Sequence, residues 1–486
     1  MNGPNNQVNS KLDLSSIKRG PIVAALIIGA FVSILNETLL NIAFPNLMDF
    51  FGITESTVQW LSTSYMLVVG ILVPITALLQ QWFTTRQMFL GAMILFLLGT
   101  IICAIAPVFE LLLTGRIVQA LGTGLMLPVL MNTILIIFPP EKRGAAMGMI
   151  GLVIMSAPAI GPTLSGLIVE SLNWRWLFYL VIPLALLSIV FAAIFLKNVS
   201  ELTRPKVDFL SILLSSVGFG GIVYGFSSAG ESSWSDPKVI WCLVAGSVSL
   251  VLFVWRQLTM KEPLLDLRTF RYPMFSLITV LMLVLMMSMF STMIMLPLLL
   301  QNVMGLTAFA AGLAMMPGGI LNGIMAPISG VLFDKFGPRA LMIPGLLLLS
   351  ASLWLFSGVD ASWSQGYVIG LNVMMMVGIS LVMMPAQTTG LNQLPKKLYP
   401  HGTAIMNTLQ QVAGAIGTAL FISIMTTGMN DYMAASSDPT NPMEAVSGMV
   451  AGLHNAFVVG ACLSILTIVI ALFVRRTHPP EEEVQQ

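Results

Sequence analysis

Apolar residues run through this chain in long blocks, each about the length of a bilayer crossing, separated by short polar stretches. A spanning helix needs about 20 mostly apolar residues. On that criterion the blocks fall at 22–44, 57–79, 87–106, 111–137, 144–169, 177–196, 208–226, 239–257, 274–298, 308–332, 339–357, 366–390, 402–426 and 451–474. The pattern predicts fourteen helices and an all-α polytopic membrane protein. Blocks 208–226 and 308–332 are the most diluted by glycine and serine. The first block is too long for a signal-peptide core and carries Glu37 and Asn41, so it reads as a retained span.

Composition agrees with the pattern. The 486 residues are 56% hydrophobic and 9% charged, where soluble domains carry about 25% charged residues. A net charge of +1 without basic clusters gives no sign of a nucleic-acid partner. Cys103, Cys242 and Cys462 lie far apart in apolar blocks and fit neither a metal spacing nor a disulfide framework. His401, placed in a loop, His454 and His478 show no ligand spacing either. No metal and no cofactor is expected. The loops are short, lack paired acids or a Ser/His set, and hold no Gly-x-x-x-x-Gly-Lys-Ser/Thr segment, which argues against an enzyme and against ATP-driven transport.

Basic residues orient the spans, because cytoplasmic loops collect Lys and Arg. With the N-terminus inside, 19 of the 22 basic residues fall in inner segments, Arg175 and Lys238 fall outside, and Arg116 is buried. Both termini are therefore expected in the cytoplasm of a cell with a multi-pass protein in its cell membrane. Arg175 between Trp174 and Trp176 reads as an interfacial anchor.

Only Glu37 and Arg116 sit well inside apolar helices. A charge near the bilayer centre costs roughly 2.5–3.5 kcal/mol on insertion scales, which makes an intramembrane carboxylate a functional candidate and a guanidinium its natural partner. At 1.5 Å per residue, both lie roughly 10 Å from the outer ends of their spans. They are expected to face each other, directly or through water. Ser33, Glu37 and Asn41 form a polar stripe on the first span, and Arg116, Gln119 and Thr123 another on the fourth.

The chain also repeats itself. Residues 330–339, Gly-Val-Leu-Phe-Asp-Lys-Phe-Gly-Pro-Arg, correspond to residues 77–86, and the same offset of 330 − 77 = 253 carries the first span onto the ninth. The reading is a tail (1–20), six helices (21–200), two inserted helices (201–262), six more helices (263–475) and a second tail (476–486). Parallel repeats about an axis along the membrane normal, with a site at their interface, describe the major facilitator architecture.

Residues 330–339 resemble the loop motif of that superfamily, with Gly330, Asp334, Lys335, Gly337 and Arg339 in place; the first copy has Gln81 for the acid and Thr84 for a glycine. Arg116 to Gly124 resembles its Arg-x-x-Gln-Gly-x-Gly motif. Residues 157–166, with Gly161, Pro162 and Gly166, resemble its antiporter motif, Ala157 and Ser165 standing for glycines. Asn173 to Tyr179, Trp60 to Tyr65 and Leu300 to Gly305 resemble marks of the fourteen-helix drug:proton antiporters (EmrB/QacA-like). Leu35 to Pro45 resembles that family's first span, but Asn36 stands at its Asp position and the acid has moved to Glu37, a variant similar to the lincomycin-resistance branch.

The resemblance implies a monomeric antiporter that exports amphipathic small molecules in exchange for protons, driven by the proton motive force. Glu37 would carry the proton beside Arg116. Candidate cavity residues are Ser33, Asn36, Asn41, Gln119, Thr123, Gln301, Gln387, Asn407, Gln410 and Gln411, with methionines, abundant at 34, supplying adaptable apolar surface. The alternative on the same fold is a dedicated exporter or symporter of one metabolite or antibiotic.

Overall fold

The computed structural model describes residues 19–199, 202–203, 207–231, 234–436 and 441–477. In chain order its helices are α1 (Arg19–Ile42), α2 (Phe44–Phe51), α3 (Glu55–Trp82), α4 (Thr85–Ile105), α5 (Phe109–Ile137), α6 (Arg143–Ser171) and α7 (Trp176–Phe195). Then follow α8 (Phe209–Glu231), α9 (Pro237–Thr259), α10 (Pro273–Leu298), α11 (Ala308–Phe336), α12 (Pro338–Ser357), α13 (Gln365–Asn392), α14 (Tyr399–Ala435) and α15 (Pro442–Ala471). Thirteen of them are long and apolar enough to cross a membrane. The 29-residue α6 is the remaining long helix.

Three blocks differ from their sequence reading. The fourteenth, expected over 451–474, is α15 (Pro442–Ala471). The first breaks at Ala43, after which the eight-residue α2 runs with Pro45 in its first turn and ends at Gly52 in the left-handed conformation. The thirteenth, expected over 402–426, is the 37-residue α14. Its last turns carry Asn430, Asp431 and Tyr432, which hydropathy discounts although the helix continues through them.

The neighbours of each helix recur across the repeat. In the first set α4 packs on α5 and α7, α1 on α5, α6 and α7, and α3 on α5. In the second, α12 packs on α13 and α15, α10 on α13, α14 and α15, and α11 on α13. Substituting each helix by its counterpart reproduces the list. In lipid, helices associate through close packing rather than burial from water, so small residues sit at the crossings. A Cβ on Gly122 would lie 2.4 Å from the Ala92 carbonyl oxygen, and one on Gly345 2.9 Å from that of Gly378.

The two sets meet along two seams, α6 against α11 and α3 against α14. The inserted pair α8–α9 crosses through Gly221 and Gly246, whose backbones approach so closely that a Cβ on Gly221 would stand 3.0 Å from the Gly246 Cα. Helix α8 also packs on both α3 and α14, so it covers the second seam. The first and last described residues lie at one end of the molecule: Arg19 sits over the Phe138 ring where α5 ends, Arg476 donates to the Asp334 carbonyl, and Arg339 donates to those of Val474 and Leu472. This is called the basic end below.

Candidate functional site

Helices α1, α3, α4 and α5 bring their few polar side chains to one place inside the first set. Arg116 on α5 is 1% exposed and Tyr65 on α3 equally so. The Tyr65 ring covers the guanidinium, with Arg116 Cζ 4.2 Å from the ring centroid. The Tyr65 hydroxyl donates to Thr123 Oγ1 at 2.6 Å, which fixes the ring against α5. Arg116 Nη1 donates to Gln119 Oε1 at 3.0 Å, and Gln119 Nε2 donates to Thr100 Oγ1 at 2.8 Å on α4. Arg116 Nε is buried with no hydrogen-bond partner among the described residues.

Glu37 on α1 belongs to this cluster. Arg116 is its charged neighbour, and Glu37 in turn acts electrostatically on Tyr65. The two charges do not touch. Among the described residues the ion pairs within 4 Å are Asp208–Arg256 and Arg268–Asp266. Glu37 keeps partial exposure while Asn36 beside it is buried, with Nδ2 unpartnered.

The remaining candidates divide into braces and seam residues. Ser33 donates to the Gly29 carbonyl and to Met126 Sδ, both at 2.8 Å, so it is satisfied within the first set. Gln119 and Thr123 likewise brace Arg116 and Tyr65 rather than face an open cavity. The side chains of Asn41 and Pro162 lie outside the described residues. Gln387 on α13 and Asn407 on α14 both direct their amide nitrogens at Met131 Sδ on α5, at 3.5 and 3.4 Å. One thioether from the first set thus receives two amides from the second. Gln410 lines a narrow cleft with Thr279, Met282, Leu283, Met406 and Leu409, and its Nε2 is buried without a partner. Gln411 is half-buried on the same helix, and Gln301 is half-buried in a π turn after α10 (Leu299–Val303). A second pocket, lined by Gln80, Asn132 and Thr133 among others, has about 10 Å³, room for about one water. Neither pocket has room for a drug-sized molecule.

The motif on α6 packs directly behind Glu37. A Cβ on Gly161 would fall 2.2 Å from Thr38 Oγ1, and Ser165 Oγ donates to the Leu39 carbonyl at 2.6 Å. Gly166 lies farther along, where a Cβ would stand 3.9 Å from Phe309 of α11. Thus α6 touches α1 on one face and the opposite set on the other.

The loop motif closes the basic end. Asp334 accepts from the backbone N–H groups of Gly144 and Ala145, each at 2.9 Å, where α6 begins. A carboxylate at a helix N-terminus satisfies unpaired amides and meets the positive end of the dipole. Gly330 and Gly144 cross so closely that a Cβ on Gly330 would meet the Gly144 carbonyl oxygen at 2.1 Å. Gly337 turns the chain at φ +80°, Arg339 ties α12 to the chain end, and Lys335 is exposed. In the first copy Thr84 caps α4 with Gln87 instead. There Gln81 lies 3.3 Å from His401 Nε2 on α14, and His401 Nδ1 accepts from Asp266 N–H at 3.2 Å. His401, expected in a loop, is in the first turn of α14 and buried.

Three residues carry more than their sequence signal suggested. Tyr65 closes the Trp60–Tyr65 segment read as a family mark, but that resemblance gave it no role. Arg143 reads as a loop charge, yet it is 3% exposed. It donates to Asn392 Oδ1 at 2.8 Å and to the Leu135 carbonyl, joining α6 to α13 across the sets. Arg175 stacks on Trp174 and Phe50 at 4.3 and 4.8 Å and donates to the Ala106 carbonyl, clamping α2 at the far end.

Comparison with known proteins gives a consistent picture. The family profile described as Major Facilitator Superfamily matches residues 26–418. The chain is 54% identical over 458 residues to lincomycin resistance protein LmrB of Bacillus subtilis (strain 168), covering 94% of this chain and 96% of the relative. It is 52% identical to the protein of the same name from Listeria monocytogenes, covering 94% and 97%. Among solved structures, the human organic anion transporter MFSD10 superposes with a TM-score of 0.66 at 13% identity, covering 93% of this chain and 99% of that one.

Proposed function

Since the chain belongs to the Major Facilitator Superfamily, we propose that it is a proton-coupled antiporter of the fourteen-helix class that exports lincosamides and other amphipathic drugs across the cell membrane. The names of its relatives support the substrate class. In this reading the basic end faces the cytoplasm, as the distribution of Lys and Arg suggests.

The observation that carries the mechanism is the Glu37–Tyr65–Arg116 cluster. Burial favours a neutral carboxyl and a nearby guanidinium favours the carboxylate. Any motion that alters the approach of Arg116 to Glu37, or the access of water, therefore loads or discharges a proton. Gly161 and Ser165 link that cluster to the seam helix α6, so parting of the sets and proton exchange at Glu37 are mechanically joined. Substrate enters between the sets once the Met131 contact to Gln387 and Asn407 opens, and its polar groups meet the carboxamides released there. Export follows when the basic end closes and the far end opens.

The test is transport in proteoliposomes under an imposed pH gradient, following lincomycin and a lipophilic cation, with wild type beside Glu37→Gln. Gradient-driven exchange in the wild type should fall to the level of protein-free vesicles in the variant, with downhill exchange of substrate retained. Full gradient-driven activity in the variant would remove Glu37 from the mechanism. Transport of lincomycin alone would favour the narrower reading, a dedicated exporter of one antibiotic class.

A further inference from the structure

The guanidinium nearest Glu37 is not spent on Glu37. Its planar face is covered by the Tyr65 ring at 4.2 Å, and its Nη1 is turned to Gln119. A cation over an aromatic face gains about 0.5–2 kcal/mol, more when desolvated, so the ring anchors the guanidinium where it stands, out of ion-pair reach of Glu37. Tyr65 is held in this place by its burial against Val69, Val73 and Ala120, to which its hydroxyl on Thr123 adds one polar contact. Its helix, α3, packs on α5 within the first set and on α14 of the second. A displacement of the second set is thus transmitted through α3 to the ring.

We propose that Tyr65 is the positioning residue of proton coupling: its ring holds Arg116 away from Glu37 in the closed molecule, and its withdrawal with α3 lets the guanidinium take the carboxylate and expel the proton. This rests on the reading of Glu37 as the proton carrier. The ionisable groups facing the cluster are Glu37 on α1, Tyr65 on α3, Cys103 on α4 and Arg116 on α5. Of the other helices packed on α1, α6 carries Arg143 and Glu170 only in its terminal turns, and α7 carries Tyr179 near its start. Asp49 at the tip of α2 is exposed.

The proposal is tested on the intact protein by the pH dependence of Glu37 modification with dicyclohexylcarbodiimide, which adds to a protonated carboxyl in an apolar site. Mass spectrometry of the peptide reads the label. In Tyr65→Leu the freed guanidinium should pair with Glu37, lowering labelling at a given pH by about tenfold and moving the profile about one unit to the acid side. Tyr65→Phe keeps the ring and should stay within about twofold of the wild type. Phenylalanine carrying one and then three ring fluorines at position 65 keeps the shape and drains the ring face, so the profile should move stepwise with fluorination. These isosteric variants decide the matter even if Tyr65→Leu fails to fold.

A flat fluorine series would overturn the proposal. Labelling reads the electrostatics of the cluster whether or not Glu37 couples transport. A Glu37→Gln variant with intact proton-driven exchange would therefore defeat the functional reading while leaving a shifted fluorine series standing as a separate result.

Discussion

A buried guanidinium with an unpartnered Nε persists in the first set because its other surfaces are served by an aromatic face and one carboxamide. Removing one member of such a group leaves the charge exposed to hydrocarbon, which costs far more than the contact itself contributes. The one strong ion pair among the described residues lies elsewhere, between Asp208 and Arg256 at 2.7 Å, with Ser211 also donating to the carboxylate. The Arg256 bond holds the Asp208 carboxyl down at about 2, below the usual carboxylate value of about 3.9. A carboxyl depressed on folding stabilises at every pH above its unfolded value and loses that contribution as pH falls through its folded one. Between about pH 4 and pH 2 the link between the start of α8 and the end of α9 should therefore weaken. At pH 5 and above the contribution is complete. Thermal unfolding of the detergent-solubilised protein should show a higher midpoint for wild type than for Asp208→Asn at pH 6, the gap closing as pH approaches 2. A gap that persists at pH 2 would assign the difference to packing rather than charge.

At the scale of single helices, the latch at the basic end shows how two copies of one motif diverge. Asp334 serves two amides at the start of α6, whereas Gln81 at the equivalent place meets the His401 side chain at the start of α14. Replacing a charged acceptor by a neutral one about halves the strength of its hydrogen bonds. In Asp334→Asn the closed basic end should lose about 1 kcal/mol, a shift of about fivefold in the open fraction. A cysteine placed at the fully buried Ser329 on α11 reports it: maleimide labelling should rise about fivefold in the Asn variant, and an unchanged rate would make the latch ornamental. The helices themselves were readable from hydropathy, because lipid demands continuous apolar length. Their true ends were not, since Asn, Asp and Tyr in the last turns of α14 and the single turn at Ala43 lie outside what apolar length reports. Within the site, Glu37 and Arg116 stood out by the cost of their charge. Tyr65, noted only as the end of a family-like segment, and Arg143, resembling any loop cation, did not show their roles, because those depend on which helices become neighbours.

The two seams of the molecule are unequal, and in the proposed mechanism this sets which of them a lipid-borne substrate uses. The inserted helix α8 lies over the α3–α14 seam, stacked on α3 through Tyr224 and Trp60 with centroids 5.8 Å apart. Just past the same end of α8, Trp234 Nε1 donates to Ser423 on α14 at 2.5 Å. Among the described residues the α6–α11 seam has no such cover: Ile160 and Leu167 on one side and Phe309, Leu313, Ile320 and Ile324 on the other are exposed, as lipid-facing side chains are. In the proposed cycle, amphipathic compounds dissolved in the bilayer enter by the α6–α11 side, where the described residues leave the seam uncovered, and that seam opens at each end in turn. At the far end Gly166 and Phe309 are in contact, at 3.9 Å for a Cβ built on the glycine. In a background lacking Cys242 and Cys462, Gly166→Cys with Phe309→Cys should form a disulfide that stops drug export, and a reductant should restore it. The same bridge should leave a buried Ser329→Cys probe at the basic end free to become labelled, because the basic end can still open while the far end is held shut. Export that continues through the oxidised bridge would mean that the far end opens along the α3–α14 seam, and that α8 moves with it rather than sealing it.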